Sequence, residues 1–314
     1  METMLFGTHT RSEYGAIIHR KRTIYFTAAA VLVVLVTGAA SVFFIGIKNQ
    51  ISSEREELLR LWEDGSYDMA YTLSKEKLIS KPMDFFLLTM HGFSAYQLAV
   101  AQINDYDTRS YIDECIWSLR KALLCGEGPE DLRISYVLGK AYYAKGSGYE
   151  DLAVKFLETA KDGNYEARDL PEYLGLAYAA IHDYRSSVAA FSLALNENNS
   201  DLLLLSIARS YIALEETETA AAYLMRCIEN SRDSNTIIKS RLLLGELLEK
   251  SGDASGAETQ YLAILEENGE NAEAHFQLGE LYADAGDGTR ARAEWRRAVR
   301  IDPAHRSARA RLNM

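Results

Sequence analysis

Small residues return along this chain at a fixed spacing. Gly279 sits in Leu278-Gly279-x-x-Tyr282, and 34 residues earlier Gly245 sits in Leu244-Gly245-x-x-Leu248, followed by Ala257 and Tyr261. The unit before that carries Ala208, Tyr211, Ala220, Leu224 and Cys227, with three extra residues ahead of its successor. Further back come Leu174-Gly175-x-x-Tyr178 with Ser187, Phe191 and Ala194, then Leu138-Gly139-x-x-Tyr142 with Ala153, Leu157 and Ala160. The latter unit holds a two-residue insertion at Gly146-Ser147-Gly148. Gly92 to Ala122 reads as a degenerate unit with a long internal loop, Gln102 to Ser110, and with Cys115 in a small-residue slot. An earlier unit keeps only Gly65, Tyr67, Ala70 and Pro82. Gly and Ala at such positions let two helices cross closely, and the large residues fill the space between them. Pro occurs only four times in 314 residues, and Pro82, Pro129, Pro171 and Pro303 all fall at or near unit boundaries. That placement leaves room for uninterrupted helices.

The pattern Leu278-Gly279-x-x-Tyr282, Ala291-x-x-x-Trp295-x-x-Ala298 and Pro303 resembles the tetratricopeptide repeat (TPR), a helix-turn-helix unit of 34 residues. The resemblance covers roughly residues 54 to 305. It implies an all-α TPR solenoid of about seven repeats, and the apolar run ahead of it adds the expectation of a single N-terminal transmembrane helix. Two degenerate units are expected over 51–125 and five clear repeats over 130–305, with 306–314 as a capping extension.

The expected anchor is the run from Thr23 to Ile47, which holds no charged side chain. As a helix it is about 37 Å long, enough to cross a hydrocarbon core of ~30 Å. A cleaved signal peptide, with Gly38-Ala39-Ala40 as its small-residue site, is the competing reading. Against it, the apolar run continues through Val42, Phe43, Phe44, Ile45 and Ile47. Arg20, Lys21 and Arg22 abut the N-terminal edge, whereas Lys48 alone abuts the other. The bias places residues 1–22 as a basic cytoplasmic tail and the solenoid across the membrane, in a bacterial periplasm. The inverse, cytoplasm-facing topology is the alternative.

The chain carries 34 Lys+Arg against 45 Asp+Glu, a formal net charge of −11, which argues against a dedicated nucleic-acid binder. Three cysteines (Cys115, Cys125, Cys227) are too few and too awkwardly placed for a disulfide framework, and they read as small buried residues. The six histidines are scattered, and no HExxH, CxxC, GxSxG or GxxxxGK[ST] motif occurs. Gly146-Ser147-Gly148 and Gly286-Asp287-Gly288 read as turns within repeats rather than as phosphate loops. The expectation is therefore no enzyme, cofactor or metal, and other proteins as partners, with the lipid bilayer engaged through 23–47.

In the resembled family, partners lie along the face lined by the first helix of each unit. The matching positions here are Tyr136, Lys140 and Tyr143; Glu172, Leu176 and Ala179; Leu202, Leu205, Arg209 and Ile212; Leu242, Glu246 and Glu249; and Phe276 and Glu280. The Lys/Asn set with which TPR co-chaperones clamp a C-terminal carboxylate is missing from them. Leu202, Leu205 and Ile212 have a second reading, as packing between neighbouring helices. At the C-terminal end, Arg292, Arg296, Arg297, Arg300, Arg306 and Arg309 form a basic patch, read either as a docking surface for an acidic partner or as a solvated cap. The resemblance implies a membrane-anchored scaffold for assembly or maintenance of an envelope or motor complex, or else an adaptor serving a membrane enzyme or secretion machine.

Overall fold

Most of the helices start at an acidic or amide side chain that takes over an orphan backbone donor. Asp84 accepts from Leu87 N (2.9 Å), Asp253 from Gly256 N (2.9 Å), Asn271 from Ala274 N (2.9 Å) and Asp287 from Arg290 N (3.0 Å). In the computed structural model of the protein, residues 53–102, 104–125, 131–198 and 200–313 are described. They contain helices and turns and no strand. Among them no helix is long and apolar enough to cross a membrane. The proposed anchor at 23–47, the tail at 1–22 and Pro129 lie outside the described residues.

The chain divides into two units, Met1–Ser80 and Lys81–Met314. The described part of the first is a helical pair, 53–63 (α1) and Tyr67–Ser80 (α2), joined at Gly65 with φ +71°. Leu58 and Ala70 are fully buried, and the Trp62 ring lies 4.9 Å from Tyr67.

The second unit comprises α3 (Phe85–Ala101), α4 (Asp105–Leu124), α5 (Leu132–Lys145), α6 (Glu150–Asp162), α7 (Leu170–Ala180), α8 (Tyr184–Glu197) and α9 (Asp201–Ala213). It continues through α10 (Thr217–Asn230), α11 (Ser234–Lys250), α12 (Ala254–Glu267), α13 (Ala272–Asp284), α14 (Gly288–Ile301) and α15 (Arg306–Leu312). The helices pack as successive pairs, α3 with α4 through to α13 with α14, and each pair rests on the next. First helices also touch one another directly, α3 with α5, α5 with α7, and α9 with α11, so they line one common face. We call this the inner face.

Five of the six pairs of this unit are closed by a large side chain laid over a glycine. A Cβ built on Gly92 would stand 2.5 Å from Leu119, on Gly139 2.5 Å from Leu157, on Gly175 2.5 Å from Phe191, on Gly245 2.4 Å from Tyr261, and on Gly279 2.5 Å from Trp295. Ala208 takes the same slot in α9, against Leu224. The small residues of the second helices (Cys115, Ala153, Ser187, Ala220, Ala257 and Ala291) are all fully buried, and so is Cys227. The two buried cysteines thus occupy packing slots, and burial pushes both thiols up. The tyrosines of the Leu-Gly-x-x-Tyr signatures reach back to the preceding second helix. Tyr178 donates to Glu158 (2.6 Å), Tyr282 donates to Glu258 (2.7 Å), and Tyr142 accepts from Arg120 (3.2 Å).

One sequence expectation is corrected here. The long loop from Gln102 to Ser110 does not form, because α4 already begins at Asp105. Asn104 caps it by accepting from Tyr106 N (2.9 Å), and the Thr108 hydroxyl bonds back to the Asn104 carbonyl (3.0 Å). These local bonds let a polar stretch start a helix where hydrophobic periodicity gives no signal.

Candidate functional site

The inner face of the second unit falls into three sectors. In the first, Lys140 on α5 is enclosed by rings. Its amine lies 4.9 Å from the Tyr136 centroid, 4.4 Å from Tyr173 and 5.4 Å from Tyr96, and it pairs with Asp169 at 2.8 Å. Tyr136 donates to the other Asp169 oxygen. Burial alone would raise Asp169, but the bonds from Lys140 and Tyr136 win and hold it below the usual carboxylate value. Tyr143 meets Tyr173 edge-on with centroids 6.1 Å apart. The structure thus joins Tyr136, Lys140 and Tyr143, as their spacing suggests, and adds three residues that sequence reasoning missed: Tyr96, Asp169 and Tyr173. Tyr96 stands four residues after Gly92, as Tyr143 does after Gly139, and the repeat register could have found it.

The middle sector is apolar, and here the sequence reading is corrected. Leu205 is only 5% exposed and sits in a core cluster with Leu204, Ala208, Leu224 and Leu244. It is a packing residue and offers no accessible anchor. Ile212 and Leu176 are half-buried and lean on the clusters beneath them. Leu202, in contrast, is 59% exposed, and Arg209 is also exposed. Glu172, Ala179 and Leu242 are half-buried, with Leu242 against the Tyr261 cluster.

The third sector is acidic. Glu246 and Glu249 on α11 are both held above the usual carboxylate range, first by burial. At Glu246 Lys250 opposes the shift and Glu273 adds to it; at Glu249 Tyr261 opposes it, and Asp284, Glu246 and Glu280 add to it. Phe276 lies 5.0 Å from the ring of His305, and Glu280 receives the Arg311 guanidinium from α15 at 3.0 and 3.1 Å. A carboxylate with a raised folded pKa stabilises the fold fully below its unfolded value, and that contribution is lost as pH rises through the folded value. Glu249→Gln should therefore raise the melting temperature at pH 7 and leave it unchanged near pH 4. Thermal scans of the two proteins at both pH values provide the check.

The basic patch occupies the exposed side of α14 and α15, where Arg292, Arg296, Arg297, Arg300, Arg306 and Arg309 are all exposed. Arg297 pairs with Glu294 at 2.5 Å, and among the described residues the other five have no ion-pair partner. Also among the described residues, no group of His, Cys, Asp and Glu side chains is placed to hold a metal ion.

Tetratricopeptide-repeat family models match residues 242–306 and 203–234. Over 181 residues the chain is 28% identical to the anaphase-promoting complex subunit CDC16 of Saccharomyces cerevisiae, covering 56% of this chain and 21% of that protein. The chain thus spans about a fifth of the length of the curated relative it matches. Among solved structures, the C-terminal part of a TPR repeat-containing protein from Cytophaga hutchinsonii is similar at a TM-score of 0.61 and 15% identity, covering 83% of this chain and 100% of that one. Pseudomonas aeruginosa pilF is similar at a TM-score of 0.50 and 15% identity, covering 71% and 96%. These likenesses establish the architecture. The chain carries tetratricopeptide repeats within an all-α stack of helical pairs.

Proposed function

We propose that the protein is a non-enzymatic, membrane-anchored scaffold whose inner face binds other proteins, with the stack in the periplasm and 23–47 in the bilayer. The observation carrying this reading is the inner face itself. Along one continuous surface it presents partly exposed tyrosines, an apolar stretch containing Arg209, and an acidic end, which are the ingredients of a peptide or helix groove. An envelope or motor complex is the setting in which such a scaffold would serve, and a cytoplasm-facing adaptor is its counterpart under the inverse topology. The charge-free run and the basic residues before it support the anchor and its orientation.

Affinity capture of the full-length protein from membranes, with identification of what co-purifies, tests the scaffold. Tyr143→Ala combined with Arg209→Glu should lower recovery of a groove partner at least tenfold while helicity is unchanged, since a central anchor is worth about 2 kcal/mol or more. Replacing Arg292, Arg296 and Arg300 by Glu should weaken an acidic partner instead, and added salt should mimic that loss. Capture unchanged by both sets of substitutions would place binding elsewhere. For topology, Ser255→Cys in a Cys125→Ser background presents a thiol at an exposed position of α12. A membrane-impermeant maleimide should label it in intact spheroplasts, and labelling only after lysis would reverse the orientation.

A further inference from the structure

The acidic sector contains the same carboxylate–aromatic pair twice, and only one copy is filled. At the C-terminal end, Glu280 and Trp295 hold Arg311, forked onto the Glu280 carboxylate at 3.0 and 3.1 Å with its guanidinium 5.9 Å from the Trp295 ring. Exactly one repeat length earlier in the sequence, Glu246 stands where Glu280 does and Tyr261 where Trp295 does, each 34 residues back. The residue 34 before Arg311 is Gln277, and it is turned away onto Glu273 at 2.9 Å. Among the described residues no cation pairs with Glu246 or Glu249 as Arg311 does with Glu280, although Lys250 lies near enough to lower Glu246.

That copy also carries unmet polar atoms. Tyr261 is fully buried, its ring crosses Gly245, and its hydroxyl ends beside Glu249. The Tyr261 hydroxyl and Glu249 Oε1 face each other there, both buried; each shifts the other's titration, yet the contact falls short of hydrogen-bond geometry, and among the described residues neither atom has a better partner. Buried polar atoms left unpaired cost free energy, and a ligand that satisfies them recovers it. Glu246 and Glu249 are half-buried beside further carboxylates, and burial with that like charge outweighs what Lys250 and Tyr261 return, so both carboxyls stay raised. A guanidinium fits this set: its fork matches a carboxylate, its spare N–H can donate to the phenolic oxygen, and its plane lies well on a ring.

We infer that the inner face of α11, at Glu246, Glu249 and the Tyr261 hydroxyl, is a subsite for one arginine side chain of a basic segment in a partner protein. It rests on the reading of the inner face as a protein-binding groove, and it names the chemistry which that groove selects at this end. Arg311 on Glu280 is the chain's own example of the contact.

The test uses the full-length chain and a fluorescein-labelled ten-residue peptide with three arginines set among alanine and leucine, beside a twin with citrulline at those positions. By anisotropy at physiological salt, the arginine peptide should bind at least tenfold more tightly than the twin. Glu246→Gln with Glu249→Gln should bring the two peptides within twofold. Glu215→Gln with Glu216→Gln, at an exposed turn of the same stack, should leave the preference intact. Gln277→Arg should fill the subsite from within the chain, raising the melting temperature and weakening the arginine peptide. A preference that survives Glu246→Gln with Glu249→Gln, or that disappears with Glu215→Gln and Glu216→Gln instead, would reduce the effect to overall acidity and overturn the subsite. Equal binding of both peptides to the wild-type protein, lost in Tyr143→Ala, would also overturn it while leaving the groove standing.

Discussion

Gly279→Leu is expected to unfold the last helical pair of the stack at a temperature where the wild-type protein is intact. The first atom of the new side chain would stand 2.5 Å from Trp295 and 3.2 Å from the Ala291 carbonyl. The Trp295 ring can turn only at the cost of its own packing, and the carbonyl is helix backbone, so α14 itself must move. Replacing Gly by Leu inside a helix gains about 1 kcal/mol of propensity. Overpacking of this kind costs about 3 kcal/mol or more, and it wins. In a domain of this size the difference, about 2 kcal/mol, corresponds to a fall of roughly 4–8 °C in melting temperature. Because each pair leans only on its neighbours, hydrogen exchange should show the loss concentrated in α13 to α15. Gly288→Ala, at the open start of α14, has no atom within 4 Å of its new methyl and should change stability little. An equal loss in both variants would mean that the close crossing is not the cause.

Leu205→Asp should be more damaging still, and Leu202→Asp should be nearly harmless. The two residues lie on one helix three positions apart, 5% and 59% exposed. At Leu205 the substitution removes a side chain from the cluster around Leu224 and Leu244 and leaves a carboxylate with no partner, at a cost of about 4 kcal/mol or more. Leu202→Asp alters only exposed surface. Circular dichroism and a denaturant titration separate the two, and similar midpoints would show that α9 faces the wrong way. Leu202 is accordingly the position at which to probe the groove through this sector without touching the fold.

The contrast between these leucines shows where the sequence was readable. Leu202 to Leu205 is an unbroken apolar run, so helical periodicity cannot say which of the four turns inward. Family offsets put Leu205 on the inner face, while the burial of three leucines out of four decides otherwise. The pairs themselves were legible because Gly279 and Trp295, or Gly175 and Phe191, are constrained at close range by one crossing repeated at constant spacing. Contacts between pairs were not. Tyr173 and Asp169 reach Lys140 from the following pair, and nothing in the order of residues fixes how far one pair is turned against the next. The start of α4 escaped for a third reason. It is set by the Asn104 cap and by polar side chains, which leave no apolar stripe to read.

The seven-residue helix α15 buries Ala308 against Ala291, Trp295 and Ala298, with Leu312 alongside. A stack of like units ends in an unfinished seat, shaped for the first helix of a next unit and therefore also for the first helix of another copy. Two molecules joined in that way would leave the same seat open again, and such an arrangement grows into a filament because no rotation closes it. Here α15 fills the seat from within the same chain. It also brings Arg306 and Arg309 to the surface beside Arg300, so a second molecule approaching by the same end meets like charge. Head-to-tail addition at this seat is thus blocked by occupancy, while the arginines oppose only a tail-to-tail approach.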